Sequence, residues 1–398
     1  MYDWNELRTS RSLSGTFFDE TLRDGIQAPG VQLPTLDQKL EIIDLMYQSG
    51  IRSADLGFPG SGPAALAECL ELSSHAAGYP AITQAFAGRT HPSDVRAICE
   101  IGQRVGTPVE AYVFIGVSPI RQYVEDWDTN FLVRSIRAAG EECQRGGADF
   151  VLVLEDAVRC SPEVLAALYD TALDVGVRRL ALCDTVGAAV PSGTAALIRW
   201  TAEYFATREH VVALDWHGHN DRGLALANSL VALATGCDRV HGTVLGVGER
   251  AGNASIDQLI LNTWLDDAAT DYDLMALSAY CDYVSASLAI EIPPNYPAMG
   301  RDVFKTSAGV HAAAILKAHE KEDAEIKDLV YSSVPARFLG REQEIVIDAS
   351  AGVSNVRYWL ATRGLEADDA AVLEVLRVAK SRRQPMDDND VRQLLENL

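Results

Sequence analysis

Two histidines one residue apart, His217 and His219 in Trp216-His217-Gly218-His219-Asn220-Asp221, have the spacing best suited to chemistry. In a strand, residues i and i+2 point to the same face. The two imidazoles can therefore aim at one point, as a bidentate metal platform does. An isolated pair of this kind is somewhat more often two strand-end histidines bonded to neighbours. The segment Glu20-Thr21-Leu22-Arg23-Asp24-Gly25 supplies what an isolated pair lacks. Asp24 completes a site of two imidazoles and one carboxylate with open positions, and nitrogen and oxygen donors suit Mg²⁺, Mn²⁺ or Zn²⁺. Arg23 beside it is either one half of a surface ion pair or a cation that stabilises negative charge on an oxygen held at the metal. Gln27 adds a hydrogen-bonding group three residues on. In Gly246-Val247-Gly248-Glu249-Arg250-Ala251-Gly252-Asn253 the glycines allow close approach to the backbone, as a flexible loop or a phosphate cradle also would, and Asn253 is a candidate to reach the metal region.

These residues need a scaffold that brings distant segments together. Strand-like apolar runs recur at Thr16–Leu22, Ser53–Phe58, Ala81–Gly88, Val109–Gly116, Phe150–Asp156, Arg179–Val186, Val211–His219 and Arg239–Gly246, with starts 28 to 41 residues apart. Each gap is expected to hold one amphipathic helix, such as Gln38–Gln48 or Val164–Asp174. Eight such units in about 250 residues predict an α/β fold, a (β/α)8 TIM barrel. The competing doubly wound sheet usually carries a Gly-rich phosphate loop after its first strand, and Asp24-Gly-Ile-Gln-Ala-Pro-Gly30 is not one. Polar residues gather at the C-terminal ends of the runs: Asp19-Glu20, Asp55, Arg89, Glu155-Asp156, Asp184-Thr185 and His217-Gly-His219. In a barrel these ends form one rim, where active sites are built.

The pattern breaks after about residue 285. Ile292-Pro-Pro-Asn-Tyr-Pro297 reads as a linker, and a helix is expected around Val310–His319. Three regions are expected: a catalytic barrel over 12–285, a linker subdomain over 286–340 and a short helical subdomain over 341–398. The formal net charge of −22 over 398 residues argues against nucleic acid or an anionic membrane as partner. No apolar run reaches the ~20 residues of a membrane span, and Met1-Tyr-Asp-Trp-Asn-Glu6 lacks the plan of a signal peptide. The seven cysteines form no CxxC pair, as expected of reduced thiols in a cytoplasmic protein.

Together the motifs form a recognisable set. Phe17-Phe18-Asp19-Glu20-Thr21-Leu22-Arg23-Asp24-Gly25-Ile26-Gln27 resembles the opening motif of the DRE-type metal-dependent TIM-barrel family, which includes 2-isopropylmalate, homocitrate and citramalate synthases and hydroxymethylglutaryl-CoA lyase. Asp184-Thr-Val-Gly187, His217-Gly-His219-Asn-Asp221 and Gly246-x-Gly248-Glu-Arg-Ala-Gly-Asn253 resemble its later motifs, in order, over about Gly15 to Leu261. The Gly-Glu-Arg loop stands where the lyase branch carries a Gly-Gly-Cys-Pro type loop, so the likeness is to the acetyl-CoA-condensing synthases. A lyase or aldolase cleaving a 3-hydroxy acid on the same metal site is the alternative.

The resemblance implies a reaction joining acetyl-CoA to a 2-oxo acid, followed by thioester hydrolysis, a step that would suit amino-acid or specialised biosynthesis. By it Asp24, His217, His219 and Asn253 hold the divalent metal, Arg23 stabilises the alkoxide and Thr185 holds the substrate carboxylate. Glu155 and His311 carry the acid/base work. His311, in Phe304-Lys-Thr-Ser-Ala-Gly-Val-His311, matches a histidine that the synthases donate across subunits, which implies a homodimer. Asp55 stands where a glutamate is usual. Val151 and Val153 replace the Arg and Ser of homocitrate synthases, Tyr112 replaces their Asp and the His of isopropylmalate synthases, and Leu245 replaces an Asn. With Gln27 and Arg89 these positions are expected to line a substrate pocket of low charge. An apolar arm, as in 2-oxoisovalerate or pyruvate, then fits better than a second carboxylate, which would be costly to bury against Val151 unpaired. Arg89 remains available to a distal anionic group. The short stretch after Gly340 implies no leucine-responsive regulatory domain.

Overall fold

The computed structural model describes residues 13, 15–266 and 271–397. Among them eight parallel strands close into a barrel in sequence order, with β8 pairing back onto β1. They are β1 Thr16–Asp19, β2 Ser53–Asp55, β3 Thr83–Arg89, β4 Val109–Gly116, β5 Asp149–Glu155, β6 Arg179–Asp184, β7 Ala213–Gly218 and β8 Arg239–Gly242. The register sets Asp19 beside Gly242 and Cys183 beside His217, so the C-terminal ends of β1, β6, β7 and β8 share one rim.

Several strands stop earlier than their apolar runs suggest. At β1 the reason is local. The Asp19 carboxylate accepts the Thr21 N–H at 2.8 Å, and the backbone N–H groups of Arg23 and Gly25 then both donate to the Glu20 carbonyl. The chain thus turns at Glu20 and presents residues 20–27 over the barrel mouth.

The barrel helices are α1 Leu36–Gln48, α2 Pro63–Ala76, α3 Pro92–Val105, α4 Pro119–Glu125, α5 Thr129–Gly146, α6 Pro162–Asp174, α7 Pro191–Ala206, α8 Ala225–Thr235, α9 Ile256–Asp266 and α10 Leu274–Leu288. Proline opens α2, α3, α4, α6 and α7, where its missing N–H has no intrahelical partner to lose. Thr35 and Gln38 form a reciprocal capping box on α1. One expectation is corrected here. The gap between β4 and β5 holds two helices, α4 and α5, separated by the left-handed Asp126. The extra turn of chain accounts for the longest spacing in the strand series.

The lower half of the barrel interior is charged rather than purely apolar. Asp215 on β7 is fully buried and accepts from the Tyr112 hydroxyl at 2.6 Å and Arg239 Nε at 3.1 Å, and it ion-pairs with Arg179. Arg239 also donates to Glu110 at 2.8 Å. Burying a charge is costly unless partners surround it, and here β4 contributes Glu110 and Tyr112, β6 Arg179, β7 Asp215 and β8 Arg239. Phe18, Ala85, Tyr112 and Val151 pack above as an apolar layer.

The chain divides into two compact units at Glu291 and Ile292. The second contains α11 Gly309–Glu320, α12 Ala324–Leu329, α13 Val353–Ala361, α14 Asp369–Ser381 and α15 Asp388–Glu396. A two-stranded parallel pair, β9 Lys305–Thr306 with β10 Glu344–Ile345, joins them. Its core is a cluster that includes Val356, Trp359, Val375 and Val391. Among the described residues no helix is long and apolar enough to cross a membrane, and all seven cysteines are free thiols.

Candidate metal centre and reaction cavity

The alternation of β7 turns Asp215 and His217 to the interior, His219 follows one residue beyond the strand's end, and the turn after β1 brings Asp24 over them. The His217 and His219 Nε2 atoms lie 3.2 Å apart, and each is 3.6 Å from Asp24 Oδ2. All three residues are buried. Donors about 2.1 Å from a common ion, at angles between right and tetrahedral, would lie about 3.0–3.4 Å apart. The cluster therefore has nearly the spacing of a coordination shell.

The polar atoms left over agree with this. Asp24 Oδ2, His219 Nδ1 and Asn253 Oδ1 are buried with no hydrogen-bond partner among the described residues. Such atoms are rare unless a water or an ion completes them. Asn253 pairs with His219 in an antiparallel bridge, and its Nδ2 donates to the Val247 carbonyl at 3.2 Å. The glycines of this loop are required sterically. A Cβ on Gly248 would lie 2.2 Å from Asn253 Nδ2, and one on Gly252 would lie 2.0 Å from the Gly246 carbonyl oxygen.

Glu20 ties the cluster to its surroundings. His217 Nδ1 lies 2.6 Å from Glu20 Oε2, and a proton on Nδ1 leaves the Nε2 lone pair facing Asp24. Glu20 also ion-pairs with Arg23, whose Nε donates to Asp55 at 3.2 Å and whose Nη1 lies 3.5 Å from Asp24. His241 stands below, 3.5 Å from Glu20 and 3.2 Å from Asp215. Burial opposes charge on Glu20, yet Arg23, His217 and His241 together hold it well below the usual carboxylate range. Burial likewise opposes the His241 cation, and the Glu20 and Asp215 carboxylates outweigh it and raise its pKa. Burial pushes Asp55 up to about 7 against the pull of Arg23. Burial and the neighbouring His217 lower His219 to about 4, so it is a neutral ligand-type imidazole at neutral pH.

A cavity of about 300 Å³ opens over the cluster. Arg23, Asp24, Gln27, Asp55, Tyr112, Val153, Glu155, Thr185, His217 and His219 all line it, so most of the residues singled out from sequence meet in one place. Others lie elsewhere. Val151 sits one layer deeper, packed with Phe18 and Tyr112. Leu245 does not line the cavity. It adopts φ +58°, a conformation an Asn would take with less strain. The Arg89 guanidinium is held by Asp94, with Nε at 2.7 Å and Nη2 at 3.1 Å, and faces a neighbouring cavity. Arg159 binds Asp156, and Arg121 approaches Glu155 at 3.8 Å. Burial raises the Glu155 pKa, with Arg121 opposing. Thr185 Oγ1 accepts the Asp156 N–H at 2.8 Å. His311 lies on α11 in the second unit, exposed and stacked on Tyr331 at 4.1 Å between ring centroids.

The sequence reading missed Glu20 as a participant, and it missed His241, Phe58, Phe114 and Cys183 entirely. Glu20 lies three residues before Arg23 in the quoted motif, and His241 follows Arg239 by two in an otherwise apolar strand. Polar residues at i and i+2 in a buried strand signal an interior network, and that signal was available.

Residues 15–284 match the HMGL-like family. A 2-isopropylmalate synthase from Methylacidiphilum infernorum is 30% identical over 358 residues, 88% of this chain and 68% of that protein. A protein carrying the name (R)-citramalate synthase, from Methanopyrus kandleri, is 29% identical over 391 residues, 96% and 72% of the two chains. Hydroxymethylglutaryl-CoA lyase from Pseudomonas aeruginosa superposes with a TM-score of 0.60 at 20% identity, covering 70% of this chain and 95% of that one, a likeness of fold. The family match spans all eight barrel strands and every residue that lines the cavity, and the chain belongs to the HMGL-like family.

Proposed function

We propose that the protein is an acyltransferase that condenses acetyl-CoA with a 2-oxo acid and hydrolyses the resulting thioester, giving a 2-substituted malate. The observation that carries this reading is the convergence of Asp24, His217 and His219 in the same cavity as Arg23, Glu155 and Thr185. The names of the relatives support it. Asp24, His217 and His219, with Asn253 beside them, would hold a divalent ion, Mg²⁺, Mn²⁺ or Zn²⁺. When bound, the ion supplies Lewis acidity to the ketone under attack.

The chain's own groups supply the rest. Thr185, at the end of β6, binds the carboxylate of the 2-oxo acid. Glu155, whose pKa burial has raised, takes a proton from the thioester methyl group. The carbon so freed bonds to the ketone carbon, and the electron pair of the carbonyl moves to its oxygen. Arg23, anchored by Glu20 and Asp55, balances that negative charge. Water then cleaves the thioester and releases the CoA thiol. His311 of a second subunit serves as the partner acid, and the working unit is a cytoplasmic homodimer.

The side of the cavity formed by Phe58, Ala87, Phe114 and Val153 is apolar, and Arg23, the one guanidinium lining it among the described residues, is already paired with carboxylates. A substrate with a small apolar arm, such as 2-oxoisovalerate or pyruvate, suits it better than one with a second carboxylate. The test is thiol release from acetyl-CoA with a divalent metal and a panel of 2-oxo acids. Turnover confined to apolar-armed acids is expected. Absence of release with every acid, from folded metal-loaded protein, would refute the reading, and cleavage of a 3-hydroxy acid instead would establish the lyase.

A further inference from the structure

Arg250 and Asp221 stand in two of the motifs read from the sequence, and the reaction above gives neither a task. The structure joins them. Arg250 Nε donates to Asp221 Oδ1 at 2.9 Å and Nη2 to Asp221 Oδ2 at 3.2 Å, and the same Nη2 donates to the Thr185 carbonyl oxygen at 2.6 Å. Arg250 lies on the loop after β8, Asp221 on the loop after β7 and Thr185 on the loop after β6. One guanidinium therefore fastens three successive rim loops. Each of those loops carries a group of the site: Asn253, His219 and Thr185.

The backbone is shaped for this contact. Arg250 has φ +55°, a left-handed conformation that an arginine takes only under strain. Such strain persists where the surroundings hold it, and here the fork of hydrogen bonds does so. Gly187, two residues after Thr185 and at φ +59°, lets the β6 and β7 loops close up. A Cβ there would lie 2.9 Å from both the Asp221 nitrogen and the His219 carbonyl oxygen. Neighbouring loops also share backbone bonds, His219 N–H to the Asp184 carbonyl at 3.1 Å and Asn220 N–H to the Gly252 carbonyl at 2.8 Å. Arg250 adds a direct bond from the third loop to the first.

Thr185 lines the reaction cavity, and Arg250 stands behind it. Thr185 is held at two points. Its Oγ1 accepts the Asp156 N–H, which leaves the hydroxyl proton free to donate, and its carbonyl is held by Arg250. The Arg250 and Asp221 side chains are 39% and 27% exposed, and ion pairs so placed add little to stability. What this one contributes is position.

Resting on the reading of Thr185 as the group that binds the 2-oxo acid carboxylate, we infer that Arg250 is the positioning residue of that subsite. Its fork keeps the Thr185 hydroxyl in register with the Asp24, His217 and His219 cluster, so that one small acid reaches both at once. Charge alone does not do this. A lysine keeps the charge but offers no planar fork to join a carboxylate and a carbonyl.

The test measures binding and needs no turnover. Pyruvate and 2-oxoisovalerate are titrated calorimetrically into Mn²⁺-loaded wild type, Arg250→Gln, Arg250→Lys, Thr185→Ala and Thr185→Ala/Arg250→Gln. Mn²⁺ affinity and urea unfolding are measured alongside. Affinity for the better-bound acid is expected to fall about tenfold in both Arg250 variants, as misplacement of a binding group does, with Mn²⁺ affinity within about twofold and the unfolding transition unmoved. The double variant should bind no more weakly than Thr185→Ala, because Arg250 acts through Thr185. A loss smaller than about threefold in Arg250→Gln, full recovery in Arg250→Lys, losses that multiply in the double variant, or Mn²⁺ lost in step with the acid would each overturn the inference. Failure of the wild type to bind either acid would remove the carboxylate role of Thr185 and the inference with it. The expected pattern without thiol release from acetyl-CoA would refute the proposed reaction and leave Arg250 its role.

Discussion

The two halves of the barrel interior treat buried charge in opposite ways. In the lower half Asp215, Arg239, Arg179, Glu110 and Tyr112 satisfy one another, and none of their buried side-chain polar atoms is left without a hydrogen-bond partner among the described residues. At the rim Asp24 Oδ2, His219 Nδ1 and Asn253 Oδ1 are as deeply buried and unpartnered. A closed network is scaffold, because its charges are already spent on each other. An open one is stable only with something added. His241 joins the two, with one ring nitrogen toward Asp215 and the other toward Glu20.

The contrast breaks most visibly in a pair of substitutions. His217→Ala removes one arm of the open cluster and is expected to abolish divalent-metal binding, measured by elemental analysis after gel filtration. Condensation should fall at least ~10³-fold, in the range seen when a group essential to chemistry is lost. Asp215→Ala does the opposite kind of damage. It leaves Arg239 and Arg179 buried without their shared carboxylate, and about 3–5 kcal/mol of unfolding free energy should be lost in urea titrations. Asp24→Ala, by contrast, should cost the metal-free protein little. Equal destabilisation by Asp24→Ala and Asp215→Ala would erase the distinction between the two halves.

The link between the halves gives the next effect in size. Glu20→Gln keeps the shape but removes the charge that orients His217 and anchors Arg23. Loss of such a supporting hydrogen bond typically weakens metal binding 10–100-fold. Titration with Mn²⁺ or Zn²⁺ should show a loss of that order, with the unfolding transition nearly unmoved.

How far the sequence reached follows from what its patterns encode. The strands were readable because each is a short apolar run and because the chemistry sits at one end of every run. The ligand trio was readable because His217 and His219 lie on one strand and Asp24 lies in the turn after β1. Depth was not readable. Val151 and Val153 share a face by alternation, but two residues along a strand are about 6.6 Å apart, enough to put one in the cavity and the other in the layer beneath. The closed network was hidden for another reason. Its members come from four strands spread from Glu110 to Arg239, and nothing local in any one strand names its partners. The helix α4 was folded into a single expected helix because its seven residues carry no apolar stripe of their own, and Ile120, Tyr123 and Val124 are all exposed.

The smallest expected effect tests Glu155, which lines both the reaction cavity and the one that Arg89 faces. Burial raises its pKa, Arg121 at 3.8 Å lowers it, and Asp156, Glu125 and Glu249 raise it further. As the base it must be ionised, so kcat/KM should climb with pH through a value above the ordinary 4.5 of a glutamate. Arg121→Gln removes the one group that favours ionisation, and the acid limb should move to higher pH with the plateau rate little changed once thioester is saturating. A profile measured between about pH 5 and 9 checks this. A limb that stays in place, or moves to lower pH, would mean that the titrating base is another group and that Glu155 belongs with the scaffold.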